Sequence, residues 1–411
     1  MTIFRVDDLR TEPVVLASGD FLRVTSTGRL RTEGTALVGR GEDFENTLGI
    51  HVAGSVQSRS DDGAHLRGFS VNLTVGSGGV IETTGRDGAA GLWGLDLVGA
   101  EFKFANAGRI SGQNGAVLIG GDGFGQNTGL IEAVGTRDDV VTGLSFGGFF
   151  AVFENGGVIR STHTGVLMGD AEQSFSYFEN SGEVSGNIGV WIEGGKGHSF
   201  LNLGTVTGNG GTAFLMVSRD SELNNQSLIE GDIVGADGRQ SVFNDGTIEG
   251  AVRLGGGSDR FNSLTRVTGV IDGGAGEDWL FAGVGADRVL GGAGADWLMG
   301  GENGDVLRGG AGGDRLDGGT GWDNLTGGAG ADVFEFAGQH GTDRIEDFEI
   351  RDDRIDLTAF GFADYADMLL KVSWFNGWGG LILDLALEVN GGRIVLTGLT
   401  VDALTEDMFV L

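Results

Sequence analysis

From Gly273 to Glu335 the chain divides without gaps into blocks of nine: GGAGEDWLF, AGVGADRVL, GGAGADWLM, GGENGDVLR, GGAGGDRLD, GGTGWDNLT and GGAGADVFE. The form is GGxGxDxUx, where the apolar U is Leu280, Val289, Leu298, Leu307, Leu316, Leu325 or Phe334. The sixth residue is always aspartate: Asp278, Asp287, Asp296, Asp305, Asp314, Asp323 and Asp332. A partial block precedes them, with Asp259 inside GGGSDRF. Helix is excluded here, since each glycine costs about 1 kcal/mol relative to alanine in a helix. The period instead predicts a three-residue strand xUx, which turns one apolar side chain inward. A six-residue turn GGxGxD follows, whose glycines adopt positive φ at little cost. Asn303 replaces the fourth-position glycine once, and asparagine tolerates that geometry better than most side chains. Two blocks make one turn of 18 residues, so alternate blocks stack. Asp278, Asp296, Asp314 and Asp332 then form one column, and Asp287, Asp305 and Asp323 the other.

At a strand spacing of about 4.8 Å such a column repels itself unless cations lie between its members. Aspartate also caps turns, but recurrence in every block exceeds what turn chemistry requires. The stretch resembles the RTX β-roll, the hemolysin-type calcium-binding repeat. The resemblance implies Ca²⁺, which takes six to eight oxygen ligands in flexible geometry, and about six or seven ions in all. It also implies that backbone carbonyls join the aspartates. These belong to Gly255 and Gly257 beside Asp259, then Gly273 and Ala275, Gly291 and Ala293, Gly300 and Glu302, Gly309 and Ala311, Gly318 and Thr320, and Gly327 and Ala329. Asp343, in GTDRI, mimics the sixth position and extends the Asp323 column.

A looser repeat fills residues 20–270: NAGRISG at 106, NTGLIEA at 127, NGGVIRS at 155, NSGEVSG at 180, NLGTVTG at 202, NQSLIEG at 225 and NDGTIEG at 244. Its apolar anchors, from Leu30 to Val267, recur every 19–29 residues. Three short strands per coil describe a parallel β-helix, right-handed as β-crossovers generally are. Stacked Asn side chains are expected to hydrogen-bond along the axis at one corner, with Phe, Ile and Val filling the core. This part resembles the β-helices of secreted adhesins and of some polysaccharide-acting enzymes. The coil shortens to 19 residues just before the roll begins. The expected fold is therefore all-β: a right-handed parallel β-helix continuing into an RTX calcium-binding β-roll as one solenoid, with a β-rich C-terminal cap. The expected divisions are an N-terminal cap over 1–25, the β-helix over 26–253, the roll over 254–335, and the cap with an exit signal over 336–411. The last segment, with the expected hairpin LILDLALEV–NGG–RIVLTGL, resembles the cap of RTX proteins such as the serralysins. The terminus DALTEDMFVL resembles the uncleaved C-terminal signal of type I secretion.

Composition narrows the function. One proline among 411 residues excludes collagen, and 40% apolar residues exclude disorder. A net charge of −31 disfavours nucleic acid and anionic membranes and attracts cations. No cysteine means no disulfide framework, and no apolar run approaches the roughly 18 residues of a membrane helix. The opening MTIFRVDDLRTEPVV has no basic stretch followed by an apolar one, so it does not read as a cleavable secretion signal. The leading expectation is an extracellular calcium-binding structural or adhesion protein of the cell surface or matrix, folding on calcium after type I secretion. Its candidate partners are calcium, further copies of itself in a homo-oligomer, lattice or filament, and surface polysaccharide, with no nucleic acid and no membrane insertion. The alternative is a polysaccharide-modifying epimerase or lyase, since mannuronan epimerases also join a β-helix to RTX repeats. Their Asp-Pro-His signature is absent, Pro13 being the only proline, and no catalytic residue is assigned. Arg160 and His163 share a coil, and Lys196 and His198 in GGKGHSF are candidates to face a ligand. Trp279 and Trp297, at position seven of the first and third blocks, are expected side by side on the outer face.

Overall fold

The computed structural model describes residues 2–40, 47–59, 62–67, 70–83, 93–135, 141–148, 150–169, 175–377, 380–385 and 392–411. Strand accounts for 64% of the chain and helix for 4%, with about 14 solenoid turns. The residues fall into two compact units, Met1–Asp232 and Ile233–Leu411.

The first unit is a parallel β-helix with three strand stacks per coil. One stack runs through Ile3–Val6, Phe21–Val24, Thr47–Val52, Ser70–Val75 and the start of a series that includes Phe150–Asn155, Phe175–Asn180 and His198–Asn202. Period-two alternation builds each strand. In Phe150–Asn155, for example, Ala151, Phe153 and Asn155 are buried while Phe150 is exposed. Register places like on like: Ile110 lies opposite Ile131, and Ile131 opposite Ile159. The rings of Phe153 and Phe178 stack at 5.6 Å between centroids, and those of Phe178 and Phe200 at 4.9 Å. Gly125, between Phe104 and Phe153 in register, leaves room for them, because a Cβ there would lie 2.4 Å from the Phe153 ring.

The expected asparagine corner is present. Asn106, Asn127, Asn155, Asn180 and Asn202 each donate from Nδ2 to Oδ1 of the next asparagine in the stack, at 2.8–2.9 Å, ending on Asn225. The same Oδ1 also accepts a main-chain N–H two residues on, as Asn127 does from Gly129 at 3.3 Å. One side chain thus closes its own turn and ties to the next coil. That satisfies an amide whose burial would otherwise cost about 1–3 kcal/mol.

In the second unit the three-sided coil gives way to a two-sided one. Strand Thr247–Glu249, with the isolated bridge from Ile248 to Val267, is the last trace of the third side. From Val270 onward two stacks remain. Val270–Ala275, Arg288–Ala293, Val306–Ala311 and Asn324–Ala329 form one; Trp279–Val284, Trp297–Glu302 and Arg315–Thr320 form the other. Partners are offset by two blocks, as the period required. The U residues are 0–2% exposed, each burial contributing about 1.5–3 kcal/mol. The strands are longer than the three residues expected. They run six residues, from position seven of one block to position three of the next. Positive φ does not end pairing here, because every turn bends at the same place and the ladder continues along the axis.

The unit closes with an antiparallel sheet of Ser373–Gly377, Gly380–Asp384 and Arg393–Thr397 and a short helix Tyr365–Lys371. Arg393–Thr397 also pairs in parallel with Thr342–Ile345, and Phe409–Val410 with Arg354–Asp356, so both stacks are covered. The NGG of the expected hairpin lies partly outside the described residues.

Candidate metal centre

Each block of the roll holds its aspartate by a fixed device. In GGAGAD from Gly291 to Asp296, the first glycine makes room for the carboxylate. A Cβ on Gly291 would lie 2.4 Å from Asp296 Oδ2, and the carbonyl of Gly309, one turn on, borders the same spot. The second and fourth glycines make the bend: Gly292 has φ 117° and Gly294 φ 133°. Asn303 takes the fourth place in its block at φ 83°, the one described non-glycine residue with positive φ.

The carboxylates stack in the two columns expected from the spacing. Asp259, Asp278, Asp287, Asp296, Asp305, Asp314, Asp323 and Asp332 are at most 4% exposed. One oxygen of each pair is used along the axis. Asp278 Oδ1 accepts the N–H of Asp259 at 2.8 Å, Asp296 that of Asp278, Asp314 that of Asp296, and Asp332 that of Asp314. In the second column Asp305 accepts from Asp287 and Asp323 from Asp305, both at 2.8 Å. The other oxygen, Oδ2, is buried without a hydrogen-bond partner in all eight, and Asp287 Oδ1 is as well.

Such oxygens are costly to ionise. Burial pushes the carboxyls of Asp259, Asp296, Asp305 and Asp323 up to about 7 and those of Asp287 and Asp332 to about 6. Asp278 and Asp314 are raised for the same reason. Neighbouring carboxylates add to it: Asp278 and Asp314 both raise Asp296.

The expected carbonyl ligands sit on the same turns. Those at position three already accept one N–H along the axis: Ala275 from Gly257, Ala293 from Gly276, Glu302 from Gly285, Ala311 from Gly294, Thr320 from Asn303 and Ala329 from Gly312, at 2.7–3.1 Å. A carbonyl oxygen has a second lone pair to offer. The donor set is therefore oxygen alone, anionic and unsatisfied, which fits a hard divalent cation and above all Ca²⁺.

Both columns end differently from their middles, and two of the residues responsible were missed in the sequence. Asp343 accepts the N–H of Asp323 at 3.2 Å, but its Oδ2 receives His340 Nδ1–H at 2.5 Å. Gly392 N–H donates to His340 Nε2 at 3.1 Å, which fixes that tautomer. Burial pushes the Asp343 carboxyl up to about 7 and holds His340 down to about 4. The first column ends at Asp353, whose Oδ1 accepts from Asp332 and Oδ2 from Glu349. No glycine block announces Asp353; its signal is the shared Asp-Arg-Ile of Asp343–Ile345 and Asp353–Ile355.

The other candidates separate. Arg160 pairs with Glu132 at 2.6 Å. His198 is fully buried, its Nδ1 accepting the Ser176 N–H at 3.2 Å, so it faces no ligand; Lys196 is exposed beside a cleft. Trp279 and Trp297 lie opposite each other in register, with ring centroids 4.5 Å apart and edge to face.

The family model of the RTX calcium-binding nonapeptide repeat (4 copies) matches residues 269–298 and 299–334. No curated protein matches the chain. The period, the carboxylate columns and that match agree: residues 269–334 carry RTX calcium-binding nonapeptide repeats, in a chain whose first unit is a parallel β-helix.

Proposed function

We propose that this calcium-binding structural protein works outside the cell, at a surface or in a matrix, and that calcium folds its roll after type I secretion. The observation that carries the reading is the row of eight buried, unpartnered Oδ2 atoms. Stacked at neutral pH without a cation they oppose folding; with Ca²⁺ between them, the binding free energy becomes folding free energy. Extracellular calcium modules bind at about 10⁻⁴–10⁻³ M, so such a roll stays open in the cytosol and closes outside. Six sites follow from Asp259–Asp278, Asp278–Asp296, Asp296–Asp314, Asp314–Asp332, Asp287–Asp305 and Asp305–Asp323. A seventh, Asp323–Asp343, competes with His340. Circular dichroism of the full chain in chelator should lose strand signal that millimolar calcium restores. An unchanged spectrum and melting temperature would refute the reading.

Self-association fits the same reading. Arg260, Trp279, Trp297 and Arg315 form one outer ladder, each guanidinium about 5.8 Å from a Trp ring centroid. Trp279 is 53% exposed, and the ladder borders a groove of about 260 Å³ with Phe281 and Met299. Each ion offsets two of the 31 net negative charges, so repulsion between copies weakens as this face forms. Trp279→Ala with Trp297→Ala should leave folding intact and lower light scattering in calcium. A wild-type chain that stays monomeric at high concentration would refute assembly.

A second reading, polysaccharide binding by the β-helix, has one observation in its favour. A cleft of about 500 Å³ in the first unit is lined by Lys196, Arg219 and Phe175. Its described lining has no carboxylate or imidazole, which suits holding an acidic sugar rather than moving its protons. Retention on an alginate column, abolished by Lys196→Ala with Arg219→Ala, would favour it.

A further inference from the structure

Asp62, His65 and Asp96 meet on the β-helix of the first unit. His65 lies in strand Ala64–Arg67 and Asp96 in strand Trp93–Asn106, and the two are partners in register. Their neighbours Ala64, Leu66, Leu95 and Leu97 are fully buried in the core, so by alternation His65 and Asp96 share the outer face. Asp62, just before the first strand, folds back to the same spot. Its Oδ1 accepts the Trp93 N–H at 2.9 Å, which aims Oδ2 at His65 Nδ1, 3.1 Å away. Asp96 Oδ2 lies 2.8 Å from the same nitrogen. One ligand atom from each residue falls within 4.8 Å of the other two.

Two features set this cluster apart from a surface ion pair. Asp62 is 5% exposed and Asp96 3%, although both belong to the outward side of the coil. Both carboxylates also converge on one imidazole nitrogen, which carries at most one proton. A divalent cation among the three atoms would take that nitrogen and one oxygen from each carboxylate as ligands at once. The Trp93 N–H on Asp62 then acts as the outer hydrogen bond that orients a ligating carboxylate.

We propose that Asp62, His65 and Asp96 form a site for a borderline divalent metal, Zn²⁺ in the first instance, separate from the calcium columns. An imidazole nitrogen beside two carboxylates suits zinc, whereas calcium and magnesium prefer oxygen alone. His65 is partly exposed, so ions have access and a fourth, water-filled position is available. The site clips together two coils whose ligands stand 31 residues apart.

The test uses the full chain in saturating calcium. Zn²⁺ is titrated calorimetrically, and bound metal is counted after gel filtration. One zinc per chain is expected, with affinity reduced at least 100-fold in His65→Ala and in Asp62→Asn, which keeps an oxygen for the Trp93 N–H. Calcium content and circular dichroism should not change, which controls for folding. Cobalt(II) reads the wild type without any variant: shifted and intensified d–d bands support the site, and the spectrum of the hydrated ion overturns it. Failure of the wild type to bind zinc, or equal binding by His65→Ala, also overturns it; in the latter case the zinc sits on the aspartate columns.

Discussion

Replacing Asp296 by asparagine separates the cost of the carboxylate from its use. Without calcium the variant is expected to be more stable than the wild type. Burial lifts this carboxyl from the ordinary 3.8 to about 7, a gap of about three pKa units, or about 4 kcal/mol against the ionised form above pH 7. The amide removes that penalty, and its side-chain oxygen can still accept the Asp278 N–H now held at 2.9 Å. In calcium the ordering is expected to change, because in the proposed pairing Asp296 stands between Asp278 and Asp314 and is shared by two sites. With a dissociation constant of about 10⁻⁴ M, calcium at about 10 mM stabilises by about 2.7 kcal/mol per site. The calcium-dependent gain should fall by about 5 kcal/mol in Asp296→Asn and by about 2.7 kcal/mol in Asp259→Asn, which serves one site. Urea unfolding at pH 8, in chelator and in calcium, gives both quantities. Taking the difference between conditions for each variant cancels the apo term. Equal gains in the two variants, or an Asp296→Asn chain less stable than wild type in chelator, would refute the reasoning.

The same carboxyls set the pH response. The folded chain binds more protons than the unfolded chain between about pH 4 and 7, so stability in chelator should fall as pH rises through that window, read as melting temperature against pH. Gly291→Ala should weaken calcium binding, since its Cβ meets the Asp296 carboxylate, whereas Gly292→Ala should destabilise the roll with or without calcium, at φ 117° and 2.0 Å from the Gly274 carbonyl; calcium titration of chemical stability distinguishes them. Asn155→Ala breaks the corner ladder and should cost the first unit about 1–3 kcal/mol, independent of calcium, by thermal unfolding.

What was legible in the sequence was whatever repeats at a fixed interval. The aspartate columns, the inward leucines and the Asn corner all recur in phase, and repetition turns a weak local preference into a register. The column ends were not legible, because they break phase: Asp353 has no glycine block, and His340 reaches Asp343 from within a single turn. Asp62, His65 and Asp96 were equally hidden. Thirty-one residues separate Trp93 N–H from the Asp62 it orients, and only the registry of two strands brings Asp96 to His65. The nine-residue period predicts a three-residue strand, whereas the strands run six, because bends stacked on identical bends keep their pairing through positive φ. His198, a candidate to face a ligand in GGKGHSF, packs inward to take the Ser176 N–H.

The axial bonds of the roll run one way. Each aspartate side chain is gripped by the main chain of the turn before it, and the last grips differ from the rest. Asp353 has both oxygens hydrogen-bonded, one by Glu349 only four residues away, and Asp343 is held by His340. These terminal carboxylates are positioned by their own surroundings, without an ion. At the other end the first column meets the N–H of Gln240, which brings no carboxylate of its own. The stack therefore has a prebuilt template at its C-terminal end and an open one at its N-terminal end. A zipper of this kind is expected to close from the C-terminal tooth backward. Loosening that tooth, as Asp353→Ala would, should slow calcium-triggered folding in stopped-flow fluorescence far more than Asp259→Ala at the opposite end, which removes the acceptor of the Gln240 N–H.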